Sequence, residues 1–393
     1  MRGYAKQLAT RRFVGWVGIT LAVISAFIAV PPALVRSPAP SIAIAVVAIL
    51  CGAFAAYSER KLGFGAILLG AAAIVGAEAA THSGAANLRD VFTWSALIAS
   101  MLRFATPLLF AALGGIVSER SGVINIGLEG MMLMGAFFGI YGSDLLGSWV
   151  GGLVVALIAG GLLALLHAAF SISLRADQVV SGTAVNFLAL GITGYVFIDH
   201  YGDNGTPDNI SRVPDVNLPF LHGGFLDHAI GHLNLLTWLA LLTVPALTVY
   251  LFRTRRGLRL RAVGEKPRAA DTVGVSVFGT RYVAVTVSGM LAALGGAYLS
   301  VAFVGSFSQN MTEGRGFIAL AAVIFGKWRP AGALAATLLF GFSSALANRL
   351  PTFSESTATL FQALPYVLTL IAVAGVIGRS RAPGSIGIPY VKE

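Results

Sequence analysis

Residues 253–282 read RTRRGLRLRAVGEKPRAADTVGVSVFGTRY and form a long polar interruption between two apolar stretches. The segment contains eight of the chain's 27 Lys and Arg residues, and only Glu265 and Asp271 oppose them. Pro267 favours the first position of a helix, where no backbone N–H is needed, and Gly274 can end that helix in a left-handed conformation. The pattern therefore predicts a short helix of about two turns. Two interpretations stay open: a solvated basic loop, or a docking helix for a soluble partner.

The composition outside this segment is that of a membrane protein. Hydrophobic residues make up 56% of the 393 residues and charged residues 11%, and the mean hydropathy is +0.80. Apolar runs of about 18 or more residues recur, which indicates an all-α, polytopic bundle of transmembrane helices. The net charge of +10 does not indicate nucleic acid, because the basic residues lie at the ends of the apolar runs. A single cysteine, Cys51, excludes a disulfide framework, and we expect neither a metal nor a cofactor.

The apolar runs predict about 12 spans, some of them broken or short. They cover residues 13–35, 39–57, 62–80, 91–116, 128–146, 148–170, 179–198, 233–252, 281–302, 316–326, 331–350 and 358–378. The run at 316–326 is too short to cross about 30 Å of hydrocarbon, so it is either a half-helix or part of a longer element. Residues 1–86, with three Ala- and Val-rich spans, are expected to form an accessory segment ahead of a core at 87–393.

The distribution of positive charge predicts the orientation. With a cytoplasmic N-terminus, most Lys and Arg, including those of the loop at 253–281, lie on the cytoplasmic side, as the positive-inside rule requires. An even number of spans then places the C-terminus on the same side. The basic residues in 1–12 resemble the start of a signal peptide, but the apolar run that follows is too long and lacks a cleavage pattern. We therefore expect a retained first span.

Glycine interrupts the apolar pattern at 114–130 and at 305–332, one place in each half of the core. Paired broken segments often mark the binding region of a transporter. Asn125 and Glu129, four residues apart, would share a face if their segment is helical. Because polar side chains are costly at membrane depth, this pair either forms a helix cap or interhelical hydrogen bond, or lines a translocation path.

Asn186 lies in the seventh predicted span and raises a similar choice. An amide can donate to and accept from a neutral polar ligand, and it can equally join two membrane helices. Phe187, the next residue, would supply an apolar wall to such a ligand. Asn125, Glu129, Asn186 and Phe187 are therefore the candidate pathway residues.

Motifs for catalysis are missing from the sequence. The stretch FGKW at 325–328 has Trp where a nucleotide-binding loop needs Ser or Thr, and HExxH, CxxC and GxSxG do not occur. A ladder of carboxylates within the spans, of the kind many ion-driven carriers use, is also missing. We therefore expect a protein that is not an enzyme, and whose energy, if it pumps, arrives through a partner.

Five separated stretches resemble the permease subunits of bacterial ABC importers, most closely the nucleoside-uptake branch of the ribose and branched-chain amino-acid type. They are ATPLLFAALGGIVSERSGVINIGLEGMMLMGAF, SLRADQVVSGTAVNFLALG, GLRLRAVGEKPRAADTVGVSVFGTRY, GFIALAAVIFGKWRPAGA and RAPGSIGIPYVKE. The resemblance covers roughly residues 90–393 and implies a type II importer-like permease in the bacterial cytoplasmic membrane. The coupling segment of the family would fall on Gly264, Glu265, Pro267, Ala269, Ala270, Asp271 and Gly274.

The same resemblance implies the partners and the cargo. Expected partners are a cytoplasmic ABC ATPase, a second homologous permease in a heterodimer, an extracytoplasmic substrate-binding lipoprotein and membrane lipid. Expected cargo is nucleosides or similar small polar solutes. Monosaccharides or branched-chain amino acids remain alternatives within the class, and an autonomous channel or ion-coupled carrier is an alternative outside it.

Overall fold

The computed structural model describes residues 13–25, 39–57, 60–82, 94–202, 205–207, 209–219, 224–349 and 381–392. These residues are mostly helical, and one short antiparallel ribbon pairs strand β1 (Asp215–Asn217) with strand β2 (His232–Asn234). The prediction of an all-α, polytopic helical fold is confirmed. The predicted span at 358–378 and the basic stretch at 1–12 lie outside the described residues.

The helices follow the predicted spans closely. In chain order they are α1 (Phe13–Ser25), α2 (Ala39–Ala56), α3 (Arg60–His82), α4 (Trp94–Arg120), α5 (Leu128–Leu146), α6 (Trp149–Ala168), α7 (Gln178–Tyr201), α8 (Leu235–Arg253), α9 (Arg255–Glu265), α10 (Pro267–Thr272), α11 (Val277–Ala297), α12 (Arg315–Phe325) and α13 (Pro330–Arg349). Wider π-helical turns continue α6 through Ala169–Ser173 and α11 through Tyr298–Val304.

Seven of the described helices are long and apolar enough to cross a membrane. They are α2, α4, α7, α8, α13 and the two helices with π-helical ends, α6 and α11. The predicted total of about 12 spans therefore stays a prediction. Helix α12 has 11 residues and a length of about 16 Å, so the half-helix alternative is the one found.

The chain divides into two compact units. The first comprises residues 1–99 and 343–378, and within it α2 and α3 pack against each other. The hydroxyls of Ser25 and Ser41 lie 3.0 Å apart in this unit. The accessory role expected for residues 1–86 stays a prediction.

The second unit, residues 100–342 and 379–393, has a core of α5, α6 and α11. Gly135 of α5 lies against the backbone of Ala293, and Gly296 of α11 lies against the carbonyl of Met132, with no room for a side chain at either glycine. Small residues at such crossings let membrane helices approach closely and gain dispersion contacts. This unit contains the broken segments and the 253–282 segment.

The 253–282 segment is more helical than predicted. Helix α10 begins at Pro267, and Gly274 follows it with φ of 80°, as the sequence indicated. The residues before it form α9, whose N-terminus is capped by Thr254: its Oγ1 accepts a hydrogen bond from Gly257 N at 3.0 Å. The interpretation of a simple solvated loop is therefore wrong for its first half.

Candidate functional site at the broken segments

The first broken segment is a non-helical connection between α4 and α5. Helix α4 ends at Arg120, Gly122 takes a φ of 95°, and α5 begins at Leu128. Ser118 Oγ donates to the carbonyl of Val123 at 2.8 Å, which stabilises the turn. Because Asn125 lies in this connection, the expectation that Asn125 and Glu129 share a helix face is not met.

The second broken segment links α11 to the half-helix α12. Gly305, with φ of 80°, ends the π-helical turn, and Gly314, with φ of 81°, precedes the first residue of α12. Positive φ values are readily available to glycine, which explains why these breaks could be found in the sequence.

Glu129 joins the two broken segments. Its Oε1 accepts a hydrogen bond from Gly314 N at 2.8 Å, and its Oε2 accepts one from Gly316 N at 2.6 Å. The side chain is buried, and it satisfies donors at the N-terminus of α12, where a negative charge is favourable. This geometry is that of a helix cap, one of the two alternatives raised by the sequence.

Asn125 joins the first broken segment to α11. Its Nδ2 donates to Ser288 Oγ at 2.9 Å, and the residue is fully buried. Its Oδ1 has no hydrogen-bond partner among the described residues, and neither has the buried Oγ1 of Thr312 in the second broken segment. A buried polar atom without a partner is costly in a packed interior, so this amide oxygen is an unsatisfied acceptor at the first broken segment.

Asn186 ties α7 to the first broken segment. Its Oδ1 accepts from Gly130 N at 2.8 Å, and its Nδ2 donates to the carbonyl of Ile126 at 3.0 Å. Both amide functions are therefore engaged by backbone. Phe187 does not join this cluster: its side chain is 70% exposed on the outer face of α7.

Two residues outside the candidate set hold the same connection. His167 Nε2 lies 3.0 Å from the carbonyl of Ile124, and its Nδ1 lies 3.0 Å from Ser181 Oγ. Donation from Nε2 to the carbonyl leaves Nδ1 to accept from the serine hydroxyl. Gln178 Oε1 accepts from Ile124 N at 2.8 Å. The sequence gave no particular signal for Gln178.

Helix α10 presents one face to the protein and the other to solvent. Ala270 is buried against Val263, Val277 and Tyr390, whereas Ala269 is exposed. Val273, just after the helix, is 77% exposed. The expected coupling residues thus divide into a packed set containing Gly264 and Ala270 and an exposed set containing Glu265, Ala269 and Gly274, with Pro267 and Asp271 between them.

The C-terminal tail, residues 381–392, forms hydrogen bonds to the expected coupling residues. Tyr390 Oη donates to Asp271 Oδ2 at 2.9 Å, and Ser385 Oγ donates to the carbonyl of Gly264 at 2.7 Å. Gly384 N donates to Glu265 Oε2 at 3.0 Å. The sequence marked the tail only as a family-like motif, and its contacts with the coupling segment were missed.

Arg281 links the tail, α11 and the first broken segment. Its Nε donates to the carbonyl of Ser121 at 3.2 Å, and one terminal nitrogen donates to the carbonyl of Ile388 at 3.1 Å. The other terminal nitrogen lies 3.4 Å from Ser385 Oγ. Hydrogen bonds of the tail and of Arg281 therefore connect α10 to the break between α4 and α5.

A helical membrane protein with two interrupted segments that meet, and a braced surface helix beside them, has the architecture of a transport permease. The family described as branched-chain amino acid transport system / permease component matches residues 97–373. The chain belongs to this family, whose members are transport components and not enzymes.

Curated relatives in the family are similar over most of their length. The chain is 42% identical over 314 residues to the guanosine ABC transporter permease protein NupQ of Bacillus subtilis, covering 76% of this chain and 97% of that protein. It is 39% identical over 318 residues to the nucleoside ABC transporter permease protein NupC of Lactococcus lactis, covering 77% and 99%. A second guanosine permease protein of Bacillus subtilis, NupP, is 24% identical over 351 residues, covering 81% and 96%. No solved structure matches the chain.

Proposed function

We propose that this chain is the membrane permease subunit of an ATP-driven importer that carries nucleosides across the bacterial cytoplasmic membrane. The observation that carries the proposal is the braced helix α10, whose exposed residue Ala269 and neighbour Val273 project from a surface fixed to the broken segments. A rigid surface helix connected to the membrane core is what an external ATPase needs in order to move that core. The names of NupQ and NupC support the cargo and the ABC class.

The proposed orientation follows the positive charge, with both termini and α9 to α10 in the cytoplasm. In this orientation the coupling residues Gly264, Glu265, Pro267, Ala269, Ala270, Asp271 and Gly274 form the segment that meets a cytoplasmic ABC ATPase, either by direct contact or by packing beneath it. An extracytoplasmic lipoprotein would deliver the solute on the opposite side, and lipid surrounds the apolar faces.

A second, different permease is the proposed partner within the membrane. Bacillus subtilis has two proteins, NupQ and NupP, that carry the same functional name and are both similar to this chain, which supports a heterodimer. Helix α7 offers a surface for it: Phe187 is exposed, and a methyl group added to Gly191 or Gly194 would meet no atom within 4 Å. Glycines on an apolar face permit close helix approach.

The proposed solute path runs beside the broken segments. Asn125 is the strongest polar candidate, because its amide oxygen is buried and unbonded among the described residues. Glu129 and Asn186 shape the path by holding the connection between α4 and α5, since their polar atoms are already engaged. Phe187 faces away from this cluster, so it would form an apolar wall only of a path that also runs between α7 and a second permease.

The proposal is tested by reconstituting this chain with its ATPase, second permease and binding lipoprotein in proteoliposomes. We expect ATP-dependent uptake of labelled guanosine, inhibited by other nucleosides and not by glucose or leucine. Guanosine uptake by this chain alone, without the ATPase, would contradict the proposal in favour of a channel or ion-coupled carrier. ATP-dependent uptake of glucose or leucine, but not guanosine, would overturn the cargo and leave the ABC class intact.

A further inference from the structure

A cavity of about 590 Å³ opens where α4 and α12 end and α13 begins. Four cationic side chains line it: Arg120, Lys327, Arg329 and Arg381. Phe325, Gly326 and Gly332 complete its lining among the described residues. Its lining includes neither Asn125 nor an exposed residue of α10.

The described residues do not pair the positive charge in the cavity with carboxylates. Within the described part of the chain, no carboxylate lines the cavity and none of the four cations forms an ion pair. The neighbouring carboxylate of Glu119 is buried and accepts a hydrogen bond from the indole of Trp328. Glu265 attracts Arg120 electrostatically without forming an ion pair with it, and its Oε2 accepts a hydrogen bond from Gly384 N. Like charges that converge in a partly enclosed space raise the affinity for a counter-anion.

Three carbonyls at the end of α12 are satisfied by backbone N–H groups and do not need the cations. The carbonyl of Ala322 accepts from Gly326 N at 2.8 Å, and the carbonyls of Val323 and Ile324 accept from the two following backbone N–H groups at 3.1 Å each. Those two residues, Lys327 and Trp328, both have positive φ, which is unusual for non-glycine residues. This backbone buries Trp328 and leaves Lys327 exposed at the cavity. Strained backbone of this kind often accompanies a functional site.

One cation is held in place by the protein. Arg120 Nε donates to the carbonyl of Trp328 at 3.0 Å, and its guanidinium lies 5.9 Å from the centre of the Phe252 ring. Its two terminal nitrogens form no hydrogen bond to the described residues and remain as a pair of donors. A guanidinium fixed in this way is suited to bidentate contact with an oxyanion.

We propose that this cavity binds a phosphate-bearing anion. A phosphate monoester carries about −1.5 to −2 charges, which suits four cations better than one carboxylate would. Gly332 places the first turn of the 20-residue helix α13 at the cavity. Pro330 has no N–H group there, but the N–H groups of Ala331 and Gly332 lack intrahelical partners and favour an anion. Two sources share this chemistry: a soluble nucleotide or inorganic phosphate, and the headgroup of an anionic phospholipid.

Binding is measured on the purified full-length chain in nanodiscs of phosphatidylcholine. The soluble probes are inorganic phosphate and GMP, measured by equilibrium dialysis, and the lipid probe is phosphatidylglycerol, measured by its retention in native mass spectrometry. We expect one source to bind. The double variant Lys327→Gln/Arg329→Gln should weaken its binding about tenfold or more, as expected for the loss of two charge-assisted contacts. The conservative variant Lys327→Arg should retain binding.

The matched control is Arg255→Gln/Arg256→Gln, which removes the same charge from exposed positions of α9 outside the cavity. It should change binding less than threefold, roughly, because distant exposed charges are screened. Equal losses of binding in the two double variants would show that only the net charge of the protein matters. That result would overturn the proposed site. Failure of every probe to bind the native chain would also overturn it, whatever the outcome of the transport assay.

Discussion

Arg281 is one of the eight basic residues in the 253–282 segment, yet only 1% of its surface is exposed. Its hydrogen-bond partners Ser121 and Ile388 lie 160 and 107 positions away in the chain. A count of charges treats such a residue as part of a solvated face, and nothing local in the sequence distinguishes it from Arg256. Only the folded structure shows that Arg281 links the tail to the first broken segment.

The variant Arg281→Met should destabilise the protein. It leaves the buried carbonyl of Ser121 and the part-buried carbonyl of Ile388 without this donor, at a cost of roughly 2–4 kcal/mol. The thermal unfolding midpoint in detergent should fall, and limited proteolysis should cut the tail faster. The control Arg256→Met, at an exposed position, should stay within about 0.5 kcal/mol of the native chain. An unchanged midpoint and an intact tail in Arg281→Met would contradict the linking role.

Gly316 tests the contact between the two broken segments. A methyl group at this position would lie 2.5 Å from the Cα of Glu129, so Gly316→Ala must push α12 away from its carboxylate cap. We expect a loss of about 1–3 kcal/mol, as for overpacking in a dense core. Gly191→Ala is the control, because that glycine is also helical but meets no atom within 4 Å. It should be neutral or slightly stabilising, since alanine favours a helix. Equal stability of the two variants would show that the segments are not in tight contact.

At the scale of elements, proline and glycine were the most reliable sequence signals for where helices begin, end or break. Pro267 and Gly274 placed α10 within two residues of its observed ends. Glycine breaks likewise located the two interrupted segments. No helix was predicted over the arginine-rich residues of α9, although Thr254 is a good N-cap and Leu260 and Val263 give it a buried face.

The two faces of α10 separate docking from packing. From the sequence alone, substitutions of Ala269 and Ala270 by charged residues look equivalent. In the structure, Ala269 is exposed and Ala270 is buried. Ala269→Glu should therefore abolish solute-stimulated ATP hydrolysis in the reconstituted importer while the permease keeps its unfolding midpoint. Ala270→Glu should instead lower that midpoint, because it buries a charge against Val263 and Val277.

The conservative change Ala269→Ser is the matched control for the docking face and should leave ATP hydrolysis coupled to transport. Full coupling in Ala269→Glu would remove this face of α10 from the ATPase contact. In that case the basic helix α9 would be the next candidate, since it lies directly before α10 and is also exposed in part.

For the whole molecule, hydropathy predicted the class and the helical fold, because the cost of unpaired backbone in lipid leaves few alternatives. It did not predict which broken segments touch. The contact of Glu129 with Gly314 and Gly316 joins residues more than 180 positions apart, and it depends on the packing of α5 against α12. The small-residue crossings that position these helices were visible only as a high glycine content.

The accessory role of residues 1–86 is a prediction about the whole chain. The family match begins at residue 97, and NupQ aligns over 97% of its own length while covering only 76% of this chain. A permease of the family can therefore be built without a counterpart to this segment. Deletion with a new start near Asn87 should preserve ATP-dependent uptake in the reconstituted importer and lower thermal stability, because α2 and α3 bury surface within their unit. Uptake is normalised to correctly inserted protein, measured by surface labelling. A well-inserted truncation that assembles with its partners but transports nothing would show that the segment belongs to the translocation machinery.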